Sequence, residues 1–420
     1  MPGGTEILAG LDRIRPGLET LYKDLHAHPE LGHAEHRTSA EAARRLTGCG
    51  YDVRAGIGGT GVAGVLENGD GPVVLVRADM DALPIRERTG LPYASTVTAP
   101  GDGGEPRPVM HACGHDVHVT CLLGAARLMA EARDAWNGTL VALFQCAEEP
   151  GDGADAMLSD GLADRVPRPG VCLAQHVLPF PSGRVGTRPG PVLSSADNYR
   201  ITVHGRGAHG SRPESGIDPV VIASMIVVRL QTIVSREIGM LTPAVVTVGS
   251  LHTGTNPNNI PESARMEINV RTYDEDTRAK VRAAVERIAR AECAAAGAPE
   301  PPDIERFGSF PPTVNDEAAT RRVADAFARH FGDRAGTLDP QTASEDFSRI
   351  PDAFGVPYTY WGIGGTDPGR YARAAEQGTL DSDIPVNHNA RFAPVLQPTL
   401  DTGVRAIVAA AASWLVTSAS

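Results

Sequence analysis

The sequence has little positive charge. It carries 39 lysine and arginine residues against 51 aspartate and glutamate residues, a formal net charge of −12. No basic stretch is available to neutralise phosphates, which argues against a nucleic-acid-binding protein. Long hydrophobic runs are also missing. The longest apolar run, residues 406–416, is too short to cross a bilayer and predicts a buried helix, so we expect no membrane partner.

Cysteines are few and scattered. Six cysteines in 420 residues show no disulfide framework, which indicates reduced thiols and a cytoplasmic protein. The first residues contain no basic head followed by an apolar segment, so we expect no secretory signal peptide. A hydrophobic content of 41% and a charged content of 21% are typical of a soluble globular protein. The length favours two domains.

Strand-like and helical patterns alternate in the first part of the chain and predict an α/β layer architecture. Residues 61–79 contain two apolar runs around the turn sequence NGDG, which predicts a β-hairpin. Apolar residues at helical spacing follow Asp116, which is therefore expected to be the N-cap of a helix. No internal repeat is present.

A different pattern begins near residue 190. The order β-α-β-β-α-β over residues 190–307 is the plan of a ferredoxin-like domain. Residues 308–420 then return to an α/β pattern. We therefore predict two domains, one built from residues 1–189 and 308–420 and one inserted at residues 190–307.

The stretch MHACGHDVH, residues 110–118, concentrates residue types that bind metals. Cys113 and His115 are one residue apart, and in a loop a thiolate and an imidazole at this spacing can converge on one ion such as Zn²⁺. The same pattern also fits a small buried cysteine beside polar residues at the start of a helix. The stretch alone leaves both interpretations open.

Two carboxylates follow a strand-like run in QCAEEPG. Glu148 and Glu149 come at the carboxyl end of a predicted strand, where open α/β sheets bind ligands. Because adjacent side chains point in different directions, one carboxylate could bind a metal while the other faces a bound water as general base. An exposed acidic loop is the simpler interpretation of the pair alone. His176 after another strand-like run and His388 in a late loop shift the balance towards a metal site.

Eight segments carry a resemblance to a known family, and they occur in this order: LHAHPELGHAEHRTS, RADMDALPI, MHACGHDVH, AEEPGDGA, GRGAHGSRP, NPNNIPESARMEINVRT, SEDF and NHNARF. From about residue 20 to its C-terminus the chain resembles the M20 metallopeptidase/aminoacylase family. The subgroup is that of N-acyl-amino-acid amidohydrolases, such as hippurate hydrolases, indole-acetyl-amino-acid hydrolases and N-acyl-glutamine aminoacylases. The resemblance implies a metal-binding α/β catalytic domain with an inserted ferredoxin-like domain that acts as a lid and dimerisation domain.

The resemblance also implies a site with two divalent metal ions per subunit, zinc or manganese. The implied metal ligands are Cys113, His115, Glu149, His176 and His388. Glu148 is the implied general base, which takes a proton from a metal-activated water and returns it to the leaving amine. His209 of the inserted domain is implied to stabilise the oxyanion in the active site of a partner subunit. Asn258 and Arg271 are candidates for binding the substrate carboxylate, although Arg271 could equally form a structural ion pair.

The chain departs from the wider family at RADMDALPI. Much of the family has a His-x-Asp where this chain has Asp79 and Asp81, and Cys113 with His115 looks like the replacement for that histidine. We expect Asp79 and Asp81 to orient the ligands, with plain turn residues as the alternative. Three further residues are expected to lie beside the site without binding metal: His111, Asp116 and His118.

The resulting prediction is a homodimer, or a dimer of dimers, that hydrolyses the amide bond of an N-acyl amino acid to a carboxylic acid and a free amino acid. An exopeptidase (a dipeptidase or carboxypeptidase) is the alternative, because it would share the metals and differ in the pocket. A structural metal protein is disfavoured because the ligands are spread from residue 113 to residue 388 beside a carboxylate base. A further alternative is that Cys113 acts as a nucleophile, which would need a base held against its thiol and a donor for the oxyanion.

Overall fold

The computed structural model describes residues 2–101 and 104–416, which form two compact units. Unit 1 comprises the described parts of residues 1–190, 315–339 and 346–420. Unit 2 comprises Pro191–Val314 and Pro340–Glu345, so it extends beyond residue 307. The function of residues 190–307 as a lid and dimerisation domain stays a prediction.

The described elements alternate in type along the chain. The helices are α1 (Pro2–Leu8), α2 (Leu11–Ala27), α3 (His36–Gly48), α4 (His115–Glu131), α5 (Gly153–Ser159), α6 (Leu162–Arg165), α7 (Pro219–Thr232), α8 (Glu275–Ala295), α9 (Glu317–Phe331), α10 (Arg349–Phe354), α11 (Pro368–Gln377), α12 (Leu380–Asp383) and α13 (Leu396–Leu415, broken at Gln397 and Pro398). The strands are β1 (Asp52–Ile57), β2 (Gly61–Asn68), β3 (Val73–Asp79), β4 (Thr98–Pro100), β5 (Pro106–Pro108), β6 (Gly138–Gln145), β7 (Val171–Pro181), β8 (Val185–Thr187), β9 (Gly190–Leu193), β10 (Ser195–His204), β11 (Ala208–His209), β12 (Ala244–Thr253), β13 (Asn259–Ile260), β14 (Ser263–Thr272), β15 (Asp303–Phe310), β16 (Thr313–Asn315), β17 (Ala335–Thr337) and β18 (Tyr358–Thr366).

Unit 1 contains an eight-stranded mixed sheet in the order β1-β2-β6-β3-β7-β18-β8-β17. The predicted hairpin of β2 and β3 is wrong, because β6 lies between them and pairs antiparallel with β2 and parallel with β3. Both strands are apolar and mostly buried, so each can accept a central neighbour. Local sequence indicates that the two strands form, but the neighbour is chosen by packing of the whole sheet.

The parallel strands β3, β6 and β7 carry the site at one edge of this sheet. Asp79 ends β3 and pairs with Gln145, which ends β6, so the residues after both strands emerge side by side. Arg77 pairs with Ala174, which brings His176 of β7 level with Asp79. His176 does not end its strand as the sequence suggested, because β7 continues to Pro181. Parallel strands with crossover helices bind ligands at their carboxyl ends.

Unit 2 is built on an antiparallel sheet in the order β12-β14-β10-β15. The chain runs through β10, α7, β12, β14, α8 and β15, which is the ferredoxin-like plan. Helices α7 and α8 pack on one face of the sheet, and their apolar residues share its core: Ile201, Ile222, Ile226, Leu230, Met266, Ile268, Val281, Val285 and Ile288. The predicted α/β fold with a ferredoxin-like insertion is confirmed.

The outer side of α7 is apolar and exposed. Val221, Met225 and Val228 lie on one helical face and are 57%, 45% and 63% exposed. Val245 and Leu251 on the edge strand β12 are also exposed. By length and composition, Pro219–Glu237 is the one stretch among the described residues that could cross a membrane, and 33% of it is buried. One such helix is weak evidence of a span, because a helix packed in a core passes the same test.

Candidate metal centre

The loop before α4 places Cys113 directly beside the helix start. His115 is the first residue of α4, and Gly114 precedes it with φ of 84°, in the left-handed region that glycine adopts at little cost. A Cβ at Gly114 would lie 2.4 Å from Cγ1 of Val177, so the loop also needs glycine for space. The prediction that Asp116 is the N-cap is therefore wrong, because Asp116 already lies within the first turn.

Five side chains that were predicted as ligands come together in unit 1. Sγ of Cys113 is 3.4 Å from Nε2 of His176, and Oε2 of Glu149 is 3.4 Å from Nε2 of His388. Oε1 of Glu149 is 3.9 Å from Nε2 of His115. Donors that bind one metal ion at about 2.0–2.3 Å lie about 3–4 Å from one another. The spacing is therefore that of a ligand set.

Two of these atoms are buried without a hydrogen-bond partner among the described residues. They are Nε2 of His115 and Oε1 of Glu149, which face each other. Leaving a buried polar group unpaired costs about 1–3 kcal/mol, and more for a charged group. A cation between the two atoms would remove this cost, so the donor set fits a metal ion.

A tight turn after β6 presents the two glutamates. Ala147 has φ of 48°, which is unusual for a residue with a Cβ, and its N–H donates to Oε1 of Glu35 at 2.7 Å. Thr60 donates its hydroxyl to the other oxygen of Glu35 at 2.5 Å. The buried carboxylate of Glu35 thus holds the backbone that precedes Glu148 and Glu149. Oε2 of Glu148 lies 4.0 Å from Nε2 of His115.

Glu35 is a residue that the sequence did not single out. Burial raises the pKa of its carboxyl group, and the hydrogen bonds from Thr60 and Ala147 offset part of this effect. Glu35 lies within the segment LHAHPELGHAEHRTS, so its position in a family motif was the available signal. Nothing in that segment indicates that it contacts a turn more than a hundred residues later.

Asp81 joins two of the candidate ligands. Its Oδ2 accepts a hydrogen bond from the backbone N–H of Glu149 at 2.9 Å. Its Oδ1 lies 3.3 Å from Nδ1 of His115, so the carboxylate faces the far side of that ring. A carboxylate behind a histidine ligand fixes the ring and makes the ligand more basic. The expected orienting role of Asp81 stays a prediction.

Asn387 fixes the loop that carries His388, and it also was not predicted. Its Nδ2 group donates to the carbonyl oxygens of Cys113 and Val177, each at 3.1 Å. The backbone N–H of His388 donates to the carbonyl of Ala112 at 2.8 Å, and the φ of His388 is 67°. These bonds tie the late loop to the two elements that carry Cys113 and His176.

Asp79 is buried and engaged on both oxygens. Arg77 donates to its Oδ2 at 2.6 Å, and His118 contacts its Oδ1. Burial alone would raise the pKa of Asp79, but the charge of Arg77, the neighbouring His115 and the hydrogen bond from His118 outweigh burial and hold it well below the usual range. Asp79 lies close to the centre, with Oδ2 3.7 Å from Nε2 of His115.

Asp116 belongs to a separate buried group. Its Oδ2 lies 2.6 Å from Nδ1 of His26, and Nε2 of the same ring lies 3.1 Å from Oε1 of Glu87. Burial disfavours a charged His26, but the two carboxylates outweigh burial and raise its pKa to about 10. Asp116 thus ties α4 to α2 and is not among the clustered donors. His111 is also buried nearby.

The remaining predicted site residues lie in unit 2. His209 is exposed, and its Nδ1 lies 2.8 Å from the hydroxyl of Ser211. The carbonyl of Asn258 accepts a bond from Gly210 at 2.7 Å, so Asn258 lies beside His209 within this unit. Arg271 donates through Nε to Asn269 and through Nη1 to Ser344. The predicted catalytic and substrate-binding roles of these residues stay predictions.

Comparison with known proteins decides the family. The model of peptidase family M20/M25/M40 matches residues 75–389, which is more than half of the chain. The chain belongs to this family. The predicted family and reaction class are thereby confirmed, and this M20 chain is a hydrolase that acts on amide bonds.

Relatives of this M20 chain have related activities. It is 36% identical over 378 residues to N-acetyl-L-cysteine deacetylase of Bacillus subtilis (strain 168), covering 86% of each chain. It is 38% identical over 337 residues to hippurate hydrolase of Campylobacter jejuni, covering 78% of this chain and 83% of the relative. Among solved structures it resembles the YXEP protein of Bacillus subtilis, a dinuclear metal binding peptidase from the M20 family. That match has a TM-score of 0.76 and 29% identity over 95% of this chain and 98% of the other.

Proposed function

We propose that this M20 chain hydrolyses the amide bond of N-acyl amino acids and releases a carboxylic acid and a free amino acid. The observation that carries the proposal is the cluster of cysteine, histidine and glutamate donors with the carboxylate of Glu148 beside it. The substrate class is supported by the names of two relatives, a deacetylase of an acetylated amino acid and a hydrolase of hippurate.

The proposed cofactor is two divalent metal ions per subunit, zinc or manganese. The proposed ligands are Cys113, His115, Glu149, His176 and His388. Two groups of donors, each with all atoms within 4.8 Å of one another, share the thiol of Cys113: one adds His115 and His176, and the other adds Glu149 and His388. Thiolate and imidazole favour zinc, whereas carboxylate also suits manganese. When bound, such ions polarise a substrate carbonyl and lower the pKa of a water.

Glu148 is the proposed general base. Its carboxylate takes a proton from the attacking water and then delivers it to the nitrogen of the leaving amino acid. The side chain is buried and lies 4.0 Å from Nε2 of His115, so it is adjacent to the donors. A positioned general base contributes about 10²–10⁴ to the rate.

Unit 2 is proposed to contribute the groups that bind the substrate. His209 donates a hydrogen bond to the oxyanion in the active site of a partner subunit, and its exposure leaves it accessible for this contact. Asn258, beside it, binds the substrate carboxylate together with Arg271. The bonds through Nε and Nη1 fix the guanidinium of Arg271, and Nη2 is the group that we assign to the carboxylate.

A homodimer is the proposed assembly, and a dimer of dimers is compatible with it. The exposed residues Val221, Met225 and Val228 and the adjacent edge strand β12 form an apolar surface that a second copy could cover. The six cysteines are free thiols, which suits a reducing compartment, so we propose a cytoplasmic enzyme.

The substrate class is tested by a paired assay. Purified protein is depleted of metal with a chelator, reloaded with Zn²⁺ or Mn²⁺, and given an N-acetyl amino acid or the dipeptide that ends in the same amino acid. We expect hydrolysis of the N-acetyl compound only after reloading. Preference for the dipeptide would favour the exopeptidase alternative, for which the YXEP peptidase is a structural precedent. Activity in the depleted protein would reject both.

A further inference from the structure

His118 lies between two of the proposed ligands. It is buried on α4, one turn after His115. The centroid of its ring is 4.5 Å from that of His176, with an angle of 72° between the planes. The centroid is 5.3 Å from that of His115, with an angle of 31°. One imidazole therefore packs against two ligand rings that come from different elements of unit 1.

Hydrogen bonds fix both the rotation and the tautomer of this ring. The backbone N–H of Val177 donates to Nε2 of His118 at 2.9 Å, so Nε2 carries no hydrogen. The neutral ring must then carry its hydrogen on Nδ1, where it donates to Oδ1 of Asp79. Turning the ring over would break both bonds. Val177 is the neighbour of His176 in β7, so the same ring also anchors the backbone of that ligand.

Asp79 is itself held from the opposite side. Arg77 donates to Oδ2 of Asp79 at 2.6 Å, and its Nε donates to the side chain of Gln145 at 2.8 Å. A continuous series of bonds therefore links the ends of β3 and β6 to His118. Arg77 and His118 occupy both oxygens of Asp79. The carboxylate is therefore already hydrogen-bonded within the protein, although its Oδ2 lies 3.7 Å from Nε2 of His115.

We propose that His118 is a positioning residue, whose imidazole sets the ring orientations of His115 and His176 and holds β7 against α4 for metal binding. The inference deepens the proposed function, because it rests on the proposed metal centre. Residues that orient metal ligands change affinity by about 10–100-fold when they are replaced.

Three substitutions separate the contributions of the ring. In His118→Asn the amide can still donate to Asp79, but the acceptor for Val177 is lost. In His118→Gln the longer side chain can still accept from Val177, but the donor to Asp79 is displaced. His118→Ala loses both bonds and the ring packing. Thr120→Val is the matched control, because Thr120 is buried on the same helix and its hydroxyl has no partner among the described residues.

The readout is the binding of Co²⁺ to metal-depleted protein, followed by visible absorption and without substrate. We expect His118→Ala to bind the same number of ions about 10–100-fold more weakly with an altered spectrum, and the Asn and Gln variants to fall between it and wild type. Thr120→Val should match wild type. Circular dichroism of the depleted proteins separates these effects from a loss of fold.

Two results would overturn the inference. One is wild-type affinity and spectrum in His118→Ala, or in both the Asn and Gln variants if the Ala variant does not fold. The other is loss of one ion with the remaining binding unchanged, because His118 would then be a ligand. Wild-type protein that binds Co²⁺ but leaves N-acetyl amino acids intact would contradict the proposed function and leave the role of His118 standing. Wild-type protein that binds no Co²⁺ would overturn both.

Discussion

The sulfur of Cys113 lies 3.4 Å from Nε2 of His176, although the two residues are 63 positions apart in the chain. The left-handed turn at Gly114 and the level of His176 within β7 bring them to this distance. Both atoms belong to a group in which His115 also takes part. This arrangement supports the proposal that both residues bind one metal ion and that the thiol is a metal donor.

Replacing the thiol should therefore remove metal. In Cys113→Ser a hydroxyl stands in for the thiolate, which is the stronger ligand for zinc. We expect metal analysis after dialysis to find fewer ions per subunit than in wild type, together with loss of turnover. Cys49→Ser is the control, because Cys49 is half-buried at the end of α3. Full metal content with no turnover in Cys113→Ser would instead indicate a nucleophilic cysteine.

Gly114→Ala should disturb both the fold and the site. A left-handed residue with a Cβ costs about 1–2 kcal/mol, and here the added atom would also meet Val177 at 2.4 Å. Gly50→Ala isolates the first effect, because Gly50 has φ of 79° and open space around it. Denaturant unfolding should show a larger loss for Gly114→Ala, and only this variant should bind Co²⁺ more weakly. Equal effects of the two substitutions would contradict the close packing of Gly114 on Val177.

Glu35 gives a prediction for pH. Burial raises its pKa above the ordinary value of 4.5. The charged form is then less favourable in the folded chain than in the unfolded chain, so the stability that Glu35 contributes is complete below pH 4.5 and is lost as the pH rises through the folded pKa.

The variant Glu35→Gln stays neutral and keeps an acceptor for Ala147. We therefore expect the melting temperature of wild type to fall relative to Glu35→Gln as the pH is raised from 4.5. Differential scanning calorimetry of both proteins over a pH series measures this difference. A constant difference, or one of opposite sign, would show that Glu35 does not carry a raised pKa.

The apolar surface of α7 gives a prediction for assembly. Val228 lies at the centre of this surface and is 63% exposed, so Val228→Asp places a charge there. If a second copy covers this surface, burying that charge is costly and the variant should be monomeric by light scattering. Ala283→Asp, at an exposed position of α8, should assemble like wild type. A dimer in both variants would place the interface elsewhere.

Much of this arrangement could be anticipated from the residues alone. The α/β architecture and the ferredoxin-like insertion follow from the order of apolar patterns. Family motifs brought Cys113, His115, Glu149, His176 and His388 into one hypothesis, and these side chains do lie together in unit 1. The local pattern around Cys113 and His115 left two interpretations open, and the ligand set came from the resemblance to the family.

The wrong hairpin and the missed residues Glu35 and Asn387 share one physical origin, which is contact between distant segments. The turn between β2 and β3 suggests a hairpin, but pairing with β6 across the sheet decides the neighbour. Glu35 and Asn387 act by binding the backbone at Ala147 and Cys113, far from them in sequence. A side chain that accepts from or donates to remote backbone leaves no periodicity to read, so only the folded chain reveals it.

We propose that Glu148 moves protons in a metal-dependent hydrolysis and does not hold the metal. The most direct test is Glu148→Gln, measured for bound metal and for turnover of an N-acetyl amino acid in the same preparation. We expect wild-type metal content with turnover reduced by about 10²–10⁴ or more. Near-normal turnover in that variant, or loss of bound metal in step with activity, would contradict it.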